Sequence, residues 1–306
     1  MFYIKGVCND RHYLNKHPSL TAVCFTLNPQ FRLVLNGKSP SYTLPTSHLE
    51  HSQLSTAVQP TSNYWIRTVA NGGTAGFDNG INSAILRYIG APIEDPSTPL
   101  TASVVPLLEQ NLHPALREPR VPGLPVPGGA DVNLHLAIAF DFTSFKFTIN
   151  SAEFIPPTAP VLLQILSGAQ SATDLLPAGS VYTLPPNKVI EISIPGGSIG
   201  APHPFHLHGH NFHVIRSAGN STYNFINPPI RDVVSTGTDT ADNTTIRFVT
   251  DNAGPCVPLL FHIDFHLEIG LAIVFAEDTG TIVKSKHPPA WDKLCPIYDS
   301  LTPDQL

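Results

Sequence analysis

From Asp131 onward the chain is cut into short apolar runs by glycine, proline and asparagine. They read "NLHLAIAFDF", "FKFTINS", "PVLLQIL", "SVYTLP", "VIEISIP", "HPFHLHGHNFHVIRS", "TTIRFVT", "LLFHIDF" and "LAIVFAED". Runs of this length and spacing predict the strands of a Greek-key sandwich or barrel. Composition points the same way, because 31 prolines and only 13% charged residues leave little material for solvated amphipathic helices. Short helical turns are expected only at "GAQSATDLL" and "FHLEIG". The expected fold class is all-β, with residues 130–280 in one sandwich.

The beginning of the chain reads differently. "FRLVLNG" suits a strand, but "SYTLPTSHLEHSQLSTAVQPTS" has neither the period of a strand nor that of a helix. Residues 1–62 are therefore left unassigned and irregular. From Asn63, "NYWIRTV" and "SAILRYIG" predict strands between the glycine-rich turns "NGGTAG" and "FDNG". Residues 91–130 form a proline-rich connector, which places a domain boundary near its end. The expected division is 1–62, 63–120 and 121–306.

Several classes of function are disfavoured by charge and hydropathy. A net charge of −6 provides no basic surface for nucleic acid or an anionic membrane. No apolar run approaches the ~20 residues of a membrane helix. The opening "MFYIKGVCNDRHYLNK" has no apolar core of a signal peptide, so none is expected. The sequons at Asn220 and Asn243 are meaningful only in a secreted glycoprotein. Cys8, Cys24, Cys256 and Cys295 show no CxxC spacing, so neither a zinc ribbon nor a thioredoxin motif is indicated.

The chemistry concentrates in "GAPHPFHLHGHNFHVI", which carries His203, His206, His208, His210 and His213. In a strand, residues of equal parity share a face. His206 and His208 therefore point one way and His203 the other, so one strand can serve two adjacent metal sites. Downstream, "FHIDFHLEIG" supplies His262 and His266, four apart as on one face of a helical turn. Imidazole nitrogen suits copper, zinc, iron or nickel, so these residues alone do not name the metal. His113, His135 and His287 stand singly and read as ordinary surface or half-buried histidines, and His210 and His213 read the same way. "GGSIG" formally matches a nucleophile elbow at Ser198, but Pro202 and Pro204 follow where that motif needs a helix.

Taken in order, the motifs "NYWIR", "GINSAILRY", "PVLLQILSGAQSATDLLPAGSVYTLP", "APHPFHLHGH", "RDVVSTGT", "DNTTIRFVTDNAGP", "HIDFHLE", "AIVFAED" and "AWDKLCPIYD" resemble a basidiomycete laccase, a multicopper oxidase. The resemblance covers about residues 63–306. It implies a cupredoxin-like Greek-key β-sandwich, with a complete third domain and part of a second. It implies copper as cofactor, phenols or aromatic amines and O₂ as small-molecule partners, a role in lignin or phenolic turnover, and an extracellular location. By motif position, His203 and His266 resemble the ligands of the mononuclear copper, and His266 also the edge where electrons enter from substrate. His206, His208 and His262 resemble ligands of the trinuclear cluster. Leu271 resembles the residue at the weak axial position.

The chain also departs from that pattern. Where such enzymes carry HCHIDFH, the frame here reads "LFHIDFH", so Leu260 replaces a cluster histidine and Phe261 the copper-binding cysteine. The preceding "CVPLLF" is one residue longer than its counterpart. The HWHG and HSH motifs of the first domain have no counterpart before residue 206. Cys295 resembles a cysteine paired with the first domain. Two functions stay open: a laccase-type oxidase by family, or a catalytically inactive remnant that at most binds copper or zinc.

Overall fold

The protein is described by a computed structural model at residues 20–25, 31–34, 42–44, 51–56, 60–70, 83–88, 90–99, 109–114, 120–157, 161–166, 176–199, 202–253, 257–261, 264–282, 284, 289–290 and 293–302. Six strands precede the connector: β1 (Leu20–Phe25), β2 (Phe31–Val34), β3 (Tyr42–Leu44), β4 (His51–Thr56), β5 (Asn63–Ala70) and β6 (Ser83–Arg87). They form two three-stranded sheets, ordered β1-β4-β3 and β2-β5-β6. β3 and β4 fall where the sequence shows no period. They are organised by cross-strand pairing, with Tyr42 and Leu54 opposite each other, and that backbone pairing needs no apolar alternation.

The larger part is built from β7 (Val132–His135), β8 (Ile138–Asp141), β9 (Lys146–Ile149), β10 (Val181–Leu184), β11 (Val189–Pro195), β12 (Pro204–Leu207), β13 (Phe212–Arg216), β14 (Ile230–Arg231), β15 (Val233–Ser235), β16 (Asn243–Val249), β17 (Val257–Phe261) and β18 (Ala272–Glu277). One five-stranded sheet runs β10-β18-β17-β12-β15 and the other β14-β13-β16-β11-β7. β8 and β9 form a separate hairpin. The expected all-β class holds.

The core between the sheets follows from period-two alternation. Ile190, Ile192 and Ile194 of β11 and Ile246 and Phe248 of β16 meet Phe205 and Leu207 of β12 and Ile273 and Phe275 of β18. Each such buried side chain contributes about 1.5–3 kcal/mol. β18 is buried on both faces, because Ala272, Val274 and Ala276 pack outward on Val161 and Ile165.

Those last two residues belong to a helix, Val161–Leu166, where the sequence reading expected the strand "PVLLQIL". An apolar run of six fits either element. Here Val161 and Ile165, four apart, put one helical face on β18. The turn expected at "FHLEIG" is present as the helix Asp264–Glu268, while most of "GAQSATDLL" lies outside the described residues.

The connector is locked to the sandwich by one cation. Arg247 is fully buried in β16, and its Nε donates to Glu191 Oε2 at 2.7 Å. Its Nη1 donates to the carbonyls of Pro122 (3.1 Å) and Leu124 (2.6 Å), and its Nη2 donates to that of Val126. Only a planar guanidinium can serve a carboxylate and three diverging carbonyls at once.

Candidate metal centre

His203 immediately precedes β12 and shares parity with Phe205 and Leu207, so its ring enters the core and is fully buried. Thr236 fixes its backbone from both sides. The His203 N–H donates to Thr236 Oγ1 at 3.0 Å, and the Thr236 N–H donates to the His203 carbonyl at 2.9 Å. His266 arrives from the last turn of the helix Asp264–Glu268. The two rings lie 5.4 Å apart between centroids, with their planes at 70°.

Phe147 of β9 closes this pair, 5.8 Å from the His203 ring and 5.0 Å from the His266 ring. Its place is set by the backbone, since the Phe147 N–H donates to the Ile269 carbonyl at 2.7 Å. Gly270 is required at this junction. Its φ is +100°, and a Cβ there would lie 2.8 Å from the Phe147 carbonyl oxygen. Leu271, the residue at the expected axial position, is fully buried beside it.

Burial, and after it the charge that His266 would carry, lower the pKa of His203 to about 4. Burial also lowers the pKa of His266. Both rings are therefore neutral at pH 7, the form in which imidazole nitrogen offers a lone pair to a metal.

His206 and His208 face away from that pair, as parity requires. His206 is half-buried and His208 exposed, with ring centroids 4.7 Å apart. His206 Nδ1 lies 2.8 Å from the Asp232 carbonyl oxygen. A carbonyl can only accept, so Nδ1 is the donor in this contact. His262 lies outside the described residues. The register of β17 on β12 sets Leu260 opposite His206 and Phe261 opposite Phe205. The two positions that differ from the laccase motif are thus direct strand neighbours of the histidine segment. Among the described residues, no group of three histidine, cysteine or carboxylate side chains is assembled for a metal.

His210 departs from its sequence reading. It is buried, and its Nε2 lies 2.6 Å from Oε2 of the buried Glu277. Glu277 Oε1 accepts from the Asn252 N–H at 3.0 Å, and Asn252 Nδ2 donates to the Gly209 carbonyl at 2.9 Å. This network pins the turn after His208 to the end of β18. Its sequence signal was an acid closing the otherwise apolar "AIVFAE".

The donor chemistry fits copper in part. Neutral imidazoles paired within metal-sharing distance suit it, but position 261 supplies no thiolate. Comparison with known proteins gives the same frame. A multicopper oxidase family profile matches residues 154–281. The chain is similar to Laccase-2 of Pleurotus ostreatus, 62% identical over 252 residues, covering 82% of this chain and 46% of that protein. It is similar to Laccase-2 of Trametes versicolor, 60% identical over 250 residues, covering 80% and 47%. The chain thus spans about half the length of the curated relatives it matches. In fold it is similar to the crystal structure of laccase from Botrytis aclada, with a TM-score of 0.64 at 24% identity, covering 90% of this chain and 53% of that one.

Proposed function

We propose, for a chain that belongs to the multicopper oxidases, the role of a copper-binding domain of laccase type. In this reading His203 and His266 hold one copper, and His206, His208 and His262 contribute to a second, cluster site. His266 is the edge presented to a phenol or aromatic amine. Residues 121–306 act as the third cupredoxin domain, and residues 63–120 as part of the second. By the same resemblance the protein works outside the cell; among the described residues no helix is long and apolar enough to cross a membrane. The observation that carries the reading is the 5.4 Å pairing of His203 with His266.

Copper supplies one-electron redox chemistry, which laccases use to oxidise phenols while reducing O₂ to water. This chain's own residues bind and orient: Thr236 fixes His203, the Asp232 carbonyl holds the proton on His206 Nδ1, and Phe147 packs against both paired rings. A second reading is favoured by Phe261. A phenyl ring forms no covalent bond to copper and offers no route for an electron, so the domain would bind copper or zinc without turnover. Oxygen consumption with a phenolic substrate separates the two. Turnover above that of free copper supports the oxidase, and stoichiometric copper binding without turnover supports the second reading.

A further inference from the structure

We propose that Glu109, in the connector, is a positioning residue for the histidine segment, acting through Arg231 on the strand that fixes His203 and His206. The consequence for metal binding rests on the reading above; the coupling itself does not.

The coupling starts from the groups that fix the two histidines. The Asp232 carbonyl accepts from His206 Nδ1 at 2.8 Å and from the Leu207 N–H at 3.0 Å. Thr236 bonds the His203 backbone in both directions. Between these two anchors β15 pairs with β12, Val233 opposite His206 and Ser235 opposite Pro204. Residues 232–236 are thus the template on which the histidine segment is laid.

That template is held at its start. β14 lies in one five-stranded sheet and β15 in the other, so the chain crosses between them at Asp232 alone. With planar peptides on either side, one residue absorbs little displacement, and a shift of Arg231 carries the Asp232 carbonyl with it. Backbone pairing anchors Arg231 weakly. β14 is an edge strand of two residues, joined to β13 through Phe212 opposite Arg231 and His213 opposite Ile230.

Charge supplies the stronger anchor. Burial lowers the pKa of Arg231 to about 10, with Asp232 opposing the shift, so the guanidinium stays charged at pH 7. A buried cation is costly unless a carboxylate meets it. Glu109 Oε1 meets Arg231 Nη2 in an ion pair, from the 3₁₀ turn Glu109–Asn111. His113 follows that turn and donates from Nδ1 to the Asn227 carbonyl at 3.1 Å. The connector therefore grips the stretch leading into the crossing at two points. Arg247 grips the connector elsewhere, at residues 122–126, and its strand β16 pairs with β11 and β13 rather than with β12. The Glu109 contact, by contrast, leads straight to the crossing.

The test reads the His206 ring in the full, metal-free chain by nitrogen-15 NMR at pH 8, with the resonance assigned by His206→Gln. The parent should show a slowly exchanging Nδ1 proton, held by the Asp232 carbonyl. Glu109→Gln should make that proton and the Leu207 amide exchange about tenfold faster, while amides of β11 keep their parent rates. Glu109→Asp keeps the charge but draws it back, so it should fall between, and it carries the test where Glu109→Gln does not fold. Unchanged exchange at His206 and Leu207 in a folded Glu109 variant would overturn the positioning role. Equal acceleration throughout β11 would overturn it too, since Glu109 would then be a general stabiliser. Cu(II) titration separates this from the metal reading: Glu109→Gln should bind about tenfold more weakly than the parent. Should His206→Gln bind Cu(II) as the parent does, the metal reading fails while the exchange rates still decide the role of Glu109.

Discussion

His210 Nε2 and Glu277 Oε2 lie 2.6 Å apart in the interior, joining the turn that follows His208 to the last residue of β18. Asn252 extends the junction to the Gly209 carbonyl, so a polar cluster rather than apolar packing sets where the histidine segment turns. Such a pair is costly to break from one side, because the remaining partner stays buried without its counterpart. Glu277→Ala is therefore expected to destabilise the fold by about 3–5 kcal/mol, read as the urea unfolding free energy. Glu277→Leu with His210→Phe should recover most of that loss. A single variant as stable as the parent would show that the pair contributes nothing.

Stability should depend on pH through His203. Its pKa is about 4 when folded, against 6.5 as the ordinary value, so the unfolded chain binds the proton more readily. The stability from keeping this ring neutral is fully present above pH 6.5 and lost as pH falls towards 4. The loss reaches at most about 3 kcal/mol for one ring. His266, also shifted downward, adds in the same direction. Urea midpoints between pH 7.5 and 4 measure the slope, and His203→Phe should flatten it.

Arg247 gives a prediction about the connector. Arg247→Met removes the partner of Glu191 and the donor to Pro122, Leu124 and Val126. A loss of about 3–5 kcal/mol is expected, with faster amide exchange in residues 120–130 than in β11. Arg247→Lys should rescue little, since an ammonium is a point charge and cannot span four acceptors. Exchange rates unchanged across the connector would refute the locking role.

Colour tests position 261. The intense band of blue copper at about 600 nm needs a thiolate on the metal. The unmodified protein loaded with Cu(II) should be pale, with the electron paramagnetic resonance of nitrogen- and oxygen-ligated copper. A strong band would mean that a cysteine reaches the site by a path the β17 register does not suggest.

Much of this molecule was legible in its residues because the relevant signals are local. Strand punctuation by glycine and proline, and the two-residue period that separates His203 from His206 and His208, both act over a few positions. The order of motifs marked the laccase-like frame and exposed Leu260 and Phe261 as its departures. What local pattern could not settle was which distant segments would meet. "PVLLQIL" is a helix because β18 offers it an apolar face, and a six-residue run carries too little period to say so alone. "HSQLST" is a strand because β1 and β3 pair with it. The meeting of His203 and His266 beneath Phe147, and that of His210 with Glu277, come from packing and pairing between strands far apart in the chain. Sequence determined which side chains could serve as ligands and which face of a strand each would take; tertiary structure decided which of them stand within reach of one another, since burial free energy is gained only when remote faces close on a common core.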